Sequence, residues 1–274
     1  MSTLIQFDNV SFAYPNGHVA IEHITLSIGA GEVVAIVGQN GAGKTSMAKV
    51  MNGLFKPSKG TVTVAGEDTR ARTTAQIARK VGYVFQNPDD QIFHNDVYSE
   101  IEFGPKKLGF SGAELADRVE SAAKLAGISE YLDENPYNLP FSTRKFVAIA
   151  STLAMGCEVY ILDEPTAGQD QTGMEIIGGI ISALKADGRA VVTITHDMQF
   201  VVDNFERVVV MANKHVLADA DKREIFWNLP VLDEANLKQP YLSELSRDLS
   251  LGGQVLELPE FVRSFGQAQA AARA

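Results

Sequence analysis

Cysteine is all but missing from this 274-residue chain. Cys157 stands alone, so no internal disulfide can form and nothing ties the fold to an oxidising compartment. Placed in an apolar stretch beside Gly156, it reads as a small core residue. Long apolar runs are missing as well: no segment reaches the roughly eighteen residues needed to cross a bilayer. The first residues also lack the charged start, apolar run and small-residue cleavage site of a signal peptide. Any membrane role is therefore expected from the cytoplasmic face, as a peripheral protein held through a partner. Positive charge is in deficit, with 24 Lys and Arg against 34 Asp and Glu, and the net −10 argues against nucleic acid as the main partner. The sequence shows no internal repeat. What is left, 45% hydrophobic and 21% charged residues, suits a globular protein with one large domain and room for an appendage.

The most informative stretch runs from Gly38 to Thr45 and fits the pattern G-x-x-x-x-G-K-T. It follows an apolar run, Val33 to Val37, and opens a helix expected over Ser46 to Asn52 with Gly53 as its stop. Strand, glycine-rich loop and helix in that order are the context the pattern requires. Gly38, Gly41 and Gly43 let the chain curl so that successive N–H groups point inward at phosphate oxygens. The helix beginning near Lys44 adds its positive end. Lys44 is placed to reach the β- and γ-phosphates, and the Thr45 hydroxyl to hold Mg²⁺. The expected nucleotide contacts are thus Gly38, Gln39, Asn40, Gly41, Ala42, Gly43, Lys44, Thr45 and Ser46. The chain is expected to bind a nucleoside triphosphate.

Around this loop the pattern alternates between strands and helices. Leu4 to Phe12 and Ile21 to Ile28 read as strands joined through the turn residues Tyr14-Pro15-Asn16-Gly17. Tyr14 is placed either to stack on an adenine or simply to pack at a strand end. Thr61 to Ala65 reads as a short strand and Thr73 to Lys80 as a helix. Val81 to Phe85 is a buried strand running into Gln86-Asn87-Pro88-Asp89-Asp90-Gln91, where Pro88 ends the strand. Carboxyl ends of strands are where open α/β sheets place ligands. Asp96 to Asn135 is helical, with interruptions expected at Gly104-Pro105 and at Gly109 to Gly112.

Val159 to Leu162 is a buried strand releasing two acids, Asp163 and Glu164, just before Pro165. Two acids at such a tip are costly unless they face charge. Strand alternation assigns them different work: Asp163 to the metal shell of the Mg²⁺–nucleotide, Glu164 to polarising a water. The competing account is a strand end with solvated acids. Thr172 to Asp187 reads as a helix, and the buried strand Ala190 to Thr195 ends in His196, which is either a hydrogen-bonded structural residue or a group facing the phosphates. Arg207 to Met211 and His215 to Ala218 form a closing hairpin. Beyond Asp221, helical pieces broken by Pro230, Pro240 and Gly252-Gly253 make an appendage, and Gln267 to Ala274 is expected to fray.

With this spacing the sequence resembles an ATP-binding cassette (ABC) ATPase over about residues 4 to 225. The resemblance implies an α/β P-loop nucleotide-binding domain with a mostly parallel core sheet, an antiparallel N-terminal subdomain and a helical subdomain at about 96–155. A small C-terminal helical extension, 226–274, follows. ATP and Mg²⁺ are the implied cofactors. Tyr14 takes the place of the adenine-stacking aromatic, and Gln86 that of the glutamine sensing Mg²⁺ and the attacking water. Asp163 is the second metal residue beside Thr45, Glu164 the catalytic glutamate, and His196 the switch histidine at the γ-phosphate. Ala167-Gly168-Gln169-Asp170 occupy the D-loop, departing from its usual residues except at Asp170.

Phe85 to Phe93 is similar more narrowly to the ATPases of energy-coupling-factor transporters, importers of vitamins and of metals such as cobalt and nickel. The C-terminal extension is also typical of those ATPases, where it helps pair the two of them. That implies two ATPases beneath a membrane coupling protein joined by a substrate-binding membrane subunit, with Asp89 to Phe93 near the coupling groove. Another ABC importer, or a soluble ABC protein acting on nucleic acid or ribosomes, is the alternative. One departure stands out. The family signature, leucine-serine-glycine-glycine-glutamine, aligns with Leu139-Pro140-Phe141-Ser142-Thr143, and only Leu139 survives. Pro140 has neither hydroxyl nor N–H, and Phe141 and Ser142 add bulk where glycines let a phosphate approach. This favours pairing with a second, related ATPase carrying an intact signature.

Overall fold

A computed structural model of the chain describes residues 2–273. The described residues form ten strands: β1 (Thr3–Ala13), β2 (Val19–Gly29), β3 (Val33–Val37), β4 (Lys59–Val64), β5 (Glu67–Asp68), β6 (Val81–Val84), β7 (Val159–Asp163), β8 (Ala190–Ile194), β9 (Arg207–Ala212) and β10 (His215–Asp221). They form two sheets. One is antiparallel, in the order β2-β1-β4-β5; the other runs β10-β9-β3-β8-β7-β6 and is parallel except for the β9–β10 hairpin. Every residue of β3, β6, β7 and β8 is buried, the mark of parallel strands covered on both faces.

Strand alternation divides the core. In β3, Val34 and Ile36 face the antiparallel sheet, while Val33, Ala35 and Val37 face the helices on the other side. Helix α1 (Lys44–Met51) lies between the two sheets, burying Met47, Ala48, Val50 and Met51 completely against residues such as Phe7, Ile21 and Ile36. The phosphate loop is thereby pinned from both sides. A short helix, α2 (Thr74–Ile77), is closed by a Thr73–Gln76 capping box and ends sooner than expected, because the chain must turn to enter β6.

The helical insert comprises α3 (Val97–Leu108), α4 (Gly112–Leu125) and α5 (Phe141–Ala154). The interruption expected at Gly104-Pro105 does not occur: α3 runs through both residues and stops at Gly109, in the left-handed conformation. Packing overrides the local breaker. A Cβ at Gly104 would lie 2.8 Å from Met155, so the glycine lets α3 press against the end of α5. Cys157 is fully buried, and burial pushes its thiol up to about 12, which keeps it an unreactive core residue.

Helices α6 (Gln171–Ala186) and α7 (Met198–Asn204) complete the helical face. The appendage holds α8 (Lys222–Trp227), α9 (Leu229–Glu234), α10 (Tyr241–Asp248) and α11 (Leu258–Arg273). The division expected at 225 falls within α8, and Phe226, Leu232, Ala235 and Leu256 pack into the main core. The terminal stretch expected to fray is instead helical through Arg273, in keeping with the helix propensity of Ala and Gln; Ala274 lies outside the described residues.

Glu260 anchors α11. Its carboxylate accepts from Arg223 at 2.8 Å and from the Leu256 and Glu257 amides. Arg223 and these amides hold the carboxyl at about 2, below the ordinary glutamate value. A depressed acid stabilises the fold above its unfolded pKa and loses that contribution as pH falls through the folded value. Glu260→Gln is therefore expected to lower stability at pH 7 by about 1 kcal/mol. In thermal melts the gap from the parent should close as pH drops from about 4.5 toward 2.

Candidate active site

The phosphate loop, the tips of β6, β7 and β8, and the turn after β1 open onto one cleft of about 290 Å³. Tyr14, Asn40, Lys44, Thr45, Gln86 and Glu164 are among the residues lining it. Two glycines shape the loop by necessity. A Cβ on Gly38 (φ 147°) would sit 2.1 Å from the Met211 carbonyl oxygen, and one on Gly43 (φ 102°) 2.5 Å from that of Ala20. Gly38→Ala is expected to cost more than about 2 kcal/mol, since backbone has to move. Gly41→Ala, with φ 82° but no neighbour within 4 Å, should cost only the about 1 kcal/mol of left-handed strain. Urea unfolding of both variants reads this difference; equal losses would mean that the Met211 contact relaxes freely.

Lys44 is buried and donates to the Gly38 and Gln39 carbonyls at 2.6 and 3.0 Å. Burial lowers its pKa, while the nearby charges of Glu164 and Asp163 oppose the shift. Thr45 Oγ1 lies 3.4 Å from Asp163 Oδ1, so β7 and α1 bring two hard oxygen donors together. The other Asp163 oxygen accepts from Tyr83 at 2.7 Å. Burial, then the Asp163 charge, raises the Tyr83 pKa, leaving it a donor that orients the carboxylate. Nothing in the sequence singled out Tyr83, because its role depends on β6 pairing with β7.

Glu164 departs from the alternation argument. The strand ends at Asp163, and Glu164 itself has φ 50°, a left-handed conformation for a non-glycine residue. That turn, rather than the pleat, separates the two carboxylates. The Glu164 amide donates to the Ile194 carbonyl at 2.9 Å, and Oε2 pairs with His196 Nδ1 at 2.8 Å. Burial raises its pKa, and the His196 charge and hydrogen bond oppose that most. The carboxylate is thus a better proton acceptor than an exposed one.

Tyr14 donates to or accepts from Ser46 Oγ at 3.0 Å and meets Phe12 and Phe55 edge-on, leaving its ring on the cleft wall. Gln86 is exposed at the mouth. Behind it Gln91 fixes the loop, accepting from the Phe85 amide and donating to the Ala148 carbonyl, the latter at 2.9 Å. No residue of the run aligned with the signature lines this cleft: Pro140 precedes α5 without a side-chain cap, and Phe141 is exposed. Lys145 also escaped sequence reading; wholly buried, it donates to the Glu164 and Ala167 carbonyls at 2.7 and 3.0 Å.

A cradle of glycines and lysine opposite an oriented carboxylate pair suits a nucleoside triphosphate. The family model for the ABC transporter matches residues 21–167, from β2 through the turn after Glu164. The chain belongs to the ABC transporter family. This ABC ATPase is 34% identical over 251 residues to the energy-coupling factor transporter ATP-binding protein EcfA of Methanosphaera stadtmanae, covering 91% of the chain and 90% of that protein. Its structure is similar to that of CbiO1 from Clostridium perfringens, part of the ABC transporter complex CbiONQ, with TM-score 0.77, 31% identity and coverage of 90% and 100%. The ATP-binding cassette MJ0796, solved as a dimer bound to ADP and phosphate, matches with TM-score 0.73, 26% identity and coverage of 80% and 99%. The ABC ATPase therefore binds ATP and hydrolyses it to drive transport. Among its described residues no helix is long and apolar enough to cross a membrane.

Proposed function

We propose that this chain powers an energy-coupling-factor importer of a vitamin or transition-metal ion, working with a second, related ATPase. One observation carries the pairing: Lys44, Thr45, Asp163, Glu164 and His196 stand in or beside one cleft, while Pro140, Phe141 and Ser142 stand where the signature has its serine and two glycines. Relatives named energy-coupling factor transporter ATP-binding protein support the energy-coupling-factor class. An apolar groove lined by Leu54, Phe85, Phe93, Phe103 and Met155 supports docking of a membrane coupling protein, since Phe93 is 59% exposed beside the Asp89 loop. Leu245, Leu249, Leu258 and Val262 leave apolar surface on the appendage, which suits a contact between the two ATPases.

In this reading Lys44 and the loop amides bind the phosphates, and Tyr14 stacks on the adenine. Thr45 and Asp163, already converged, fit a hard cation, with Gln86 as a further oxygen donor. Mg²⁺ held there neutralises phosphate charge. Glu164 accepts a proton from the attacking water, and His196 orients that carboxylate and faces the γ-phosphate. Affinity purification from membranes tests the importer reading. A second ATPase and membrane subunits should co-purify; recovery with DNA or ribosomes alone would sink it.

A further inference from the structure

The run that replaces the signature is engaged with its own chain. Phe141 packs against Gly168, where an added Cβ would lie 3.4 Å from the ring. Gln169 Nε2 donates to the Ser142 carbonyl at 3.1 Å. Lys145 Nζ sits 5.6 Å from the Phe141 ring centre and donates to the Glu164 and Ala167 carbonyls. The first turn of α5 thus grips the whole segment from Glu164 to Gln169, the turn in which Glu164 adopts φ 50°. A left-handed glutamate persists only where its surroundings over-determine it. Here Ile194 holds its N–H and Lys145 its carbonyl.

We propose that Lys145 is a positioning residue for ATP hydrolysis: from α5, two residues past the altered signature run, it ties down the Glu164 and Ala167 carbonyls and so aims the Glu164 carboxylate into its own chain's cleft. This rests on the reading of Glu164 as the water-polarising group. An unbranched apolar side chain would fill the same space without desolvating an ammonium, so the use of the cation lies in the two carbonyls it holds. Burial lowers the Lys145 pKa, and the charges of Glu164 and Asp163 oppose that shift. The altered signature and the altered D-loop are then one device, a bracket acting within the chain.

The test uses the full chain in its purified transporter, with Lys145→Met, Lys145→Gln, Glu164→Gln and the double variant Lys145→Met/Glu164→Gln. Lys145→Met should keep ATP affinity and lose about a hundredfold in kcat, the cost of an ångström-scale misplacement. Lys145→Gln, which keeps two donors, should recover part of that loss. The double variant should be no slower than Glu164→Gln, because both changes act through one group. Parental kcat in Lys145→Met overturns the proposal, as does an equal fall of kcat and ATP affinity in both single Lys145 variants. Should Lys145→Met not fold, Lys145→Gln decides: reduced kcat at unchanged affinity supports the role, and parental kcat overturns it. Parental turnover in Glu164→Gln instead removes the role of Glu164 itself, and the coupling with it.

Discussion

Glu164→Gln is expected to abolish nearly all ATP turnover while leaving ATP binding intact. The substitution preserves size and still offers His196 Nδ1 an oxygen at the 2.8 Å contact, so the cleft keeps its shape. Lys44, Thr45 and the loop amides, which are proposed to bind the nucleotide, are untouched. What is lost is a buried carboxylate whose basicity burial has raised. General-base catalysis of this kind contributes about a hundred- to ten-thousandfold in rate. Steady-state hydrolysis alongside equilibrium ATP binding checks both halves, and turnover close to the parent would rule out this role.

The second large effect is asymmetry. A homodimer would set Leu139 to Thr143 against both nucleotides, leaving neither with a good γ-phosphate contact. With a partner whose signature is intact, the cleft of this chain is complete and the opposite one is not. A transition-state contact of that type is worth on the order of 3 kcal/mol, about a hundredfold in rate. This chain alone is therefore expected to hydrolyse ATP about a hundredfold slower than the pair. Changing the partner's catalytic glutamate should cost the pair far less than Glu164→Gln does. Equal losses from the two changes, or brisk hydrolysis by the isolated chain, would remove the case for asymmetry.

Much of the site could be read from residue order because its chemistry is local. Gly38 to Thr45 carry a backbone shape that only glycines permit at two crowded points, and α1 begins where the loop ends. The runs at 33–37, 81–84, 159–163 and 190–194 are buried throughout, and their ends marked where Gln86, Asp163, Glu164 and His196 stand. Those properties belong to short stretches of chain, where backbone sterics and burial act without knowledge of distant partners. The strand order belongs to the tertiary structure, and so does everything that depends on it. Thr45 meets Asp163 across 118 residues and Tyr83 meets the same acid across 80, contacts that exist because β7 lies beside β6 and near the start of α1. Packing likewise carried α3 through Gly104-Pro105 and set Lys145 beneath Glu164. A lone lysine in an apolar helix looks like surface until the turn it holds is seen, because burial of a charge is decided by which carbonyls the fold brings to it.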